Sequence, residues 1–391
     1  MPGSTHKGND IYKEADPTMA DRYKQQMSKR KLLFIQSLMR AQVNQMNKSM
    51  STFPVEAYGS LFKTYQIKKD TILHKGEHVT IYGAKSPVSN NTSVRVYAKS
   101  FIDPNTSVYL KILRHLGRKH PYIVHSYELF HDGTSVYVFQ EGFYKGNLAE
   151  YMEQSQPLTE RQAAVWAKQI YRALDFLGDQ AIAHRDLSPT HLVIQPQSSS
   201  EVWCKLTGFK QAIIYWDTNC NDIAYCQCWP SERQAADGAN FQPPEVYGDP
   251  SKEQFDPIQA DIWSYGTCIF FMLVKQYIYN VTDPYENIDE EIWHNIVKNP
   301  LSDDCKDFIY ALTRGNANDR MPFDFVENHP WLKANSMMLN QNQKDNVSSK
   351  HDPSLKSSKL VKQPLVIAKG DASGNKISGK SLGSKATVSS G

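Results

Sequence analysis

The stretch Ala183-His184-Arg185-Asp186-Leu187-Ser188-Pro189 decides how the rest of this 391-residue chain is read. Before it, residues 163–178 carry apolar side chains at helical spacing, and after it residues 192–194 form a short apolar run fit for a strand. Outward in the C-terminal direction come Lys205-Leu206-Thr207-Gly208-Phe209-Lys210 at the end of another short strand, then Pro243-Pro244-Glu245, then Asp261-Ile262-Trp263-Ser264-Tyr265-Gly266. Arg320 and His329-Pro330-Trp331-Leu332 close the series. In the other direction, residues 65–72, 78–84 and 93–101 alternate as strands do, and residues 107–116 read as a helix. Helical spacing returns in 258–279, 291–297 and 303–312. The chain is β-rich first and α-rich second, with the change near Glu141.

Composition sets the outer bounds. With 40% hydrophobic and 22% charged residues, collagenous, disulfide-framework and wholly disordered classes are excluded. Six scattered cysteines suit a reducing compartment, and Cys226 and Cys228 are too close together for the usual zinc spacing, so no metal site is expected. The first thirty residues are polar, which argues against a secretory signal, and the longest apolar run, 268–274, is far below the roughly 18 residues of a spanning helix. A cytoplasmic chain is expected, with a nuclear location left open. The net charge of +3 is uneven: residues 1–60 carry +4, residues 336–391 carry +6, and the segment between them carries −7. The tail 336–391 is rich in Ser, Lys, Gly and Asn and reads as disordered. Residues 21–50 place Leu32, Ile35, Met39, Val43, Met46 and Met50 on one helical face. That stripe suits a helix packed on its own domain or one that binds a partner, and the partner-binding role is the one we carry forward as an expectation.

In this order and spacing the motifs resemble the eukaryotic protein kinase domain over residues 61–335. The resemblance implies an α+β, two-lobed protein kinase-like fold, with a small β-rich N-lobe at 61–141 and a larger α-helical C-lobe at 142–335. A basic N-terminal extension, 1–60, and a basic tail, 336–391, flank it. The texture of 256–266 and 328–332 is similar to the calcium/calmodulin-dependent kinase group, and within it to the testis-specific serine kinases.

Position by position, the resemblance implies a dismantled metal centre. Working kinases take Mg²⁺ on the Asp of D-F-G and on the Asn that closes H-R-D-x-x-x-x-N; by register these are Gly208 and His191 here. Glycine offers no ligand, and imidazole suits a hard, oxygen-seeking cation poorly. Of the glycine-rich loop only Gly76 remains, with His74 and Val79 adding bulk. Lys99 in Val96-Tyr97-Ala98-Lys99 reads as the strand lysine, and Tyr109 takes the place of its helical Glu partner. Asp186 keeps the base position, but Ser188 replaces the loop lysine, and Gly238 replaces the Thr that ties the activation segment to Asp186. Gln140 reads as gatekeeper, Glu141 and Gly142 as hinge, and Ile81 and Ala98 as the residues that sandwich adenine. Lys210 puts a cation beside the lost metal site, and the pattern Gly208-Phe209-Lys210 with His191 resembles the STRAD-type adaptor pseudokinases, in which ATP binds without metal. Tyr215, Thr218, Tyr225 and Ser231 are hydroxyls whose phosphorylation would bring a phosphate to Arg185.

The expectation is a pseudokinase: a scaffold or allosteric adaptor for other proteins, an active kinase among them, binding ATP without magnesium and no nucleic acid. The alternative is a weak or atypical serine/threonine kinase that uses Asp186 as base.

Overall fold

In the computed structural model the residues described are 29–48, 55–56, 59–102, 107–142, 146–197, 201–230, 234, 238–280 and 287–335; the basic tail lies outside them. A six-stranded sheet builds the first lobe. Strands β1 (Val55–Glu56), β2 (Gln66–Lys75), β3 (Val79–Ser86), β4 (Ser89–Ala98), β5 (Ser126–His131) and β6 (Ser135–Glu141) form one sheet in the order β1-β5-β6-β4-β3-β2. Only β1 runs parallel to its neighbour, Val55 opposite Phe130. A 20-residue helix, α1 (Lys29–Lys48), precedes the sheet in sequence, α2 (Gly59–Thr64) leads into β2, and α3 (Val108–Leu116) crosses between β4 and β5. Ser107 caps α3 by accepting from the N–H of Leu110, and Leu110, Ile112, Leu113 and Leu116 bury its inner face.

The second lobe is helical. Helices α4 (Leu148–Gln154), α5 (Glu160–Asp179), α6 (Pro257–Val274), α7 (Ile288–Val297) and α8 (Asp303–Leu312) surround a core in which Trp263, Tyr265, Phe270 and Phe308 are fully buried. Helix α6 starts on Asp256, whose carboxylate accepts from Ile258 and Gln259, and is apolar nearly all round because other elements cover it on every side. Short strands carry the loops: β7 (Ile182–Ala183), β8 (Leu192–Pro196), β9 (Val202–Leu206), β10 (Ile213–Ile214), β11 (Trp216–Asp217), β12 (Asp222–Ile223), β13 (Cys226–Gln227) and β14 (Gln254–Phe255). Glu245 and Arg320 make a bidentate pair at 2.6 and 2.8 Å, with the guanidinium fully buried and lying over Trp263. The architecture is bilobed α+β. Among the described residues no helix is long and apolar enough to cross a membrane.

The N-terminal stripe is where expectation and structure part. Met39, Val43 and Met46 of α1 are buried in the main core, with Ile35 and Leu38 packed against it. Helix α1 covers α3 and β11. Polar contacts pin it: Lys111 Nζ donates to Asn47 Oδ1 at 3.0 Å, Gln36 Nε2 donates to the carbonyl of Asn221 at 3.3 Å, and the Tyr215 hydroxyl points at Met39 Sδ at 3.8 Å. The partner-binding role for helix 21–50 is therefore corrected over 29–48: the apolar face is consumed by the chain's own α3, whose partly apolar outer surface needs a cover.

Replacing Ile35, Met39, Val43 and Met46 together by Ser is expected to cost several kcal/mol, since each fully buried apolar side chain contributes about 1.5–3 kcal/mol. Urea unfolding of the full chain checks this; an unchanged midpoint would mean that the stripe is not core.

Candidate functional site

The cleft between the lobes encloses about 510 Å³ and draws side chains from both, among them Ile81, Arg95 and Gln140 above and Asp186, His191 and Lys210 below. Its lower rim is held by one buried carboxylate. Asp261 accepts the N–H groups of His184 at 2.7 Å and Arg185 at 2.8 Å, which fixes the loop through Asp186. Burial pushes the Asp261 carboxyl up to about 7, and those same N–H groups pull it back toward the charged form. Burial brings His184 down to about 3, so its ring is neutral; Nε2 donates to the Thr207 carbonyl at 2.7 Å, and the ring meets Phe209 edge-on at 5.0 Å.

The two positions expected to hold metal face each other directly. Gly208 sits at φ +88°, and a Cβ built on it would lie 2.4 Å from Cδ2 and Cγ of His191. The His191 ring thus fills the space that a side chain at 208 would need. Its Nδ1–H donates to the Asp186 carbonyl at 2.6 Å, turning that nitrogen into the loop. Neither position offers an oxygen, so this donor set does not fit Mg²⁺. Among the described residues no group of three His, Cys, Asp or Glu side chains is arranged to hold a metal ion.

The roof corrects the strand register. Ser93 pairs with Gln140, and Arg95 with Val138, so Ser93, Arg95 and Tyr97 face the cleft. Val94 and Val96 face the other way, into a cluster with Phe130 and Phe139, and period-2 alternation sends the exposed Ala98 with them. Ala98 therefore does not sandwich a base; it borders a separate depression with Gly76 and Phe101. Lys99 lies beyond the strand, its N–H bound to the Thr134 carbonyl at 2.8 Å, and does not line the cleft. Arg95 occupies the place assigned to Lys99. Arg95 Nη1 donates to Gln140 Oε1, and Gln140 Nε2 donates to Ser126 Oγ at 3.0 Å. The helix contributes no acid: Tyr109 faces the cleft and its hydroxyl lies 3.3 Å from that of Tyr97. Burial, then the neighbouring Tyr97, hold Tyr109 far above the usual phenol range.

Gly76 makes a tight turn, its N–H bound to the Val79 carbonyl at 2.9 Å, while His74 and Val79 line the cleft itself. The hinge is only partly open. Gly142 gives its N–H to the Asn91 carbonyl at 3.1 Å and accepts from Asn91 Nδ2 at 2.8 Å, which corrects the expectation that its backbone is available to adenine. The start of β4 runs far enough along the hinge to reach it. Glu141 turns its carboxylate outward to Lys205, which is 1% exposed, and to Gln195 Nε2 at 2.8 Å. Burial alone would raise the Glu141 pKa, but Lys205 holds it below the usual carboxylate range. Lys210 lines the cleft mouth with Nζ 4.4 Å from the Phe101 ring centroid, and His78 stacks on the same ring at 4.2 Å. Gly238, at φ +85°, lies beside Ser188; a Cβ there would be 3.8 Å from Ser188 Cβ. Arg95, Ser93 and Asn91 were missed by sequence reasoning; the alternation Val94–Val96 was the available signal for the first two, and no local signal marks Asn91.

Comparison with known proteins agrees with this geometry at the level of the domain. The family described as "Protein kinase domain" matches residues 74–332. Similar proteins include serine/threonine-protein kinase PLK4 of Drosophila virilis, 25% identical over 71% of this chain and 34% of the relative. Serine/threonine-protein kinase ULK3 of Homo sapiens is 24% identical over 68% of this chain and 54% of the relative. Serine/threonine-protein kinase atg1 of Dictyostelium discoideum is 26% identical over 61% and 33%. The chain spans between about a third and about half the length of these relatives.

Gly208→Asp is expected to lower stability, because a non-glycine residue in that backbone region costs about 1–3 kcal/mol and the new side chain must displace His191. Adding His191→Asn should return the steric part, about 0.5–3 kcal/mol as a coupling energy in a double-mutant cycle followed by thermal unfolding. Strict additivity would show that the two positions do not compete for one space.

Proposed function

The chain belongs to the protein kinase family, and we propose that within it this member is a pseudokinase, a scaffold or allosteric adaptor whose cleft takes a nucleotide without magnesium. The observation that carries the proposal is the His191 ring on the bare backbone of Gly208, which leaves neither position an oxygen ligand and leaves no room for one at 208. Phosphoryl transfer depends on metal and cationic groups that neutralise charge developing at the phosphates, and little else is asked of the protein. Here Arg95 and Lys210 would meet the phosphates of a bound nucleotide, and Ile81 would cover its base. Asp186 lines the cleft, but Ser188 stands where a cation would accompany it. The binding surface is proposed to be read by another protein, an active kinase among the candidates, as in the STRAD-type adaptors that the 191 and 208–210 substitutions resemble.

A second reading has its own support. The relatives carry the names of serine/threonine-protein kinases, and on that ground the chain would be a weak kinase of the same kind, with Asp186 orienting the acceptor hydroxyl. The two readings differ in what they need from the cleft. The pseudokinase needs only cations; the enzyme also needs a metal held in position.

Radiolabelled ATP with a generic protein acceptor is expected to give no incorporation above that of Asp186→Asn, since each missing electrostatic element is worth about two to three decades of rate. Incorporation abolished by Asp186→Asn would establish the second reading. For nucleotide binding, Arg95→Ala is expected to remove the ATP-induced rise in melting temperature, whereas Lys99→Ala leaves it intact. The reverse pattern would restore Lys99 to the site.

A further inference from the structure

Arg185 adjoins the base position, yet its guanidinium does not enter the cleft. Its backbone sits at φ +63° and its N–H is held by Asp261, so the side chain is sent toward the activation segment. There Cζ lies 5.6 Å from the ring centroid of Trp229 and 5.6 Å from that of Phe255. Nε is buried without a hydrogen-bond partner. Both rings are fixed by backbone. Cys226 pairs with Phe255 across β13 and β14, Trp229 donates to the Val246 carbonyl at 2.7 Å, and Gly248 donates to the Trp229 carbonyl at 3.0 Å. Trp229 also meets Tyr247 edge-on at 6.1 Å.

In kinases gated by phosphorylation, a phosphate on the activation segment orders it by pairing with arginine. Of the hydroxyls singled out for that role, Tyr215 is poorly placed here. Tyr215 is buried, and its hydroxyl is committed to the Gly178 carbonyl at 2.8 Å. Tyr225 is 58% exposed, and Ser231 lies outside the described residues. The cation that a phosphate would seek is already flanked by two aromatic rings.

We propose that Arg185, Trp229 and Phe255 form a phosphate-independent latch, holding the activation segment to the loop of Asp186 by cation–π contact. A guanidinium over an aromatic face is stabilised by the ring quadrupole, most strongly for indole and where water is excluded. The latch holds residues 226–229 in place in the unmodified chain and makes phosphorylation unnecessary for that. It does not depend on whether the cleft binds nucleotide or transfers phosphate.

Hydrogen exchange on the full chain made in bacteria, with mass spectrometry confirming that no phosphate is present, provides the test. Backbone amides of 226–229 are expected to be protected in the wild type. Trp229→Leu keeps apolar bulk and removes the strong π face; it should speed their exchange about threefold to thirtyfold, while Trp229→Phe retains most of the protection. Trp229→Glu replaces the ring by a charge, so its protection should be recovered at low salt and lost at 1 M salt, with the wild type much less affected. Amides of 257–274 report global unfolding and should stay protected in all variants. Equal exchange in the wild type and Trp229→Leu would overturn the latch, as would a wild-type segment that becomes protected only after enzymatic phosphorylation. If Trp229→Leu also loosens 257–274, the charge arm decides: a Trp229→Glu variant indifferent to salt would mean that Arg185 is not the partner.

Discussion

The imidazole of His191 resting against the Cα of Gly208 is the contact from which the rest of the cleft follows. Either residue alone is a modest change. Together they fill the volume where two oxygen ligands would have to converge, and the short bond from Nδ1 to the Asp186 carbonyl fixes the ring in that place. Among the described residues, no ion pair gives the strand cation Arg95 a carboxylate partner. Arg95 is instead tied to the neutral amide of Gln140, and Tyr109 meets Tyr97 where an ion pair would otherwise join helix to sheet.

Neutral contacts replace charged ones elsewhere as well. The ion pair that α3 does make with the sheet, Arg114 with Glu128 of β5 at 3.5 Å, involves no residue that lines the cleft. At the cleft, α3 meets the sheet through the Tyr109 and Tyr97 hydroxyls, the former held far above the usual phenol range by burial, while α1 lies over the outer face of α3 and touches Tyr215. On the other side of the hinge, Glu141 with Lys205 is a buried tie between β6 and β9. Breaking such a pair by removing one partner strands a charge in the interior, which makes it a fixed strut.

The larger lobe was legible in the sequence because its signals are local and its partners obligatory. Asp261 must meet the loop of His184 and Arg185, and Glu245 must meet Arg320, so motif spacing alone placed them. The strand register was not legible. Val96-Tyr97-Ala98-Lys99 imitates the expected pattern, and the alternation of Val94 and Val96 that points to Arg95 carries no mark of which face meets the cleft until β4 is paired with β6. Asn91 could not be found at all, since its bond to Gly142 joins residues 51 apart and carries no periodic signature. For α1 the apolar stripe was plain, but amphipathicity tells that a face is buried and not against what.

The central claim is that this cleft has no place for a protein-bound magnesium ion. Its most direct test is the rise in melting temperature of the full chain with saturating ATP, in excess Mg²⁺ and in EDTA, because a ligand that binds the native state alone must stabilise it. The account predicts shifts of the same size in the two conditions. A shift that appears only with Mg²⁺ would contradict it and would mean that ligands from elsewhere in the cleft rebuild the metal site around His191.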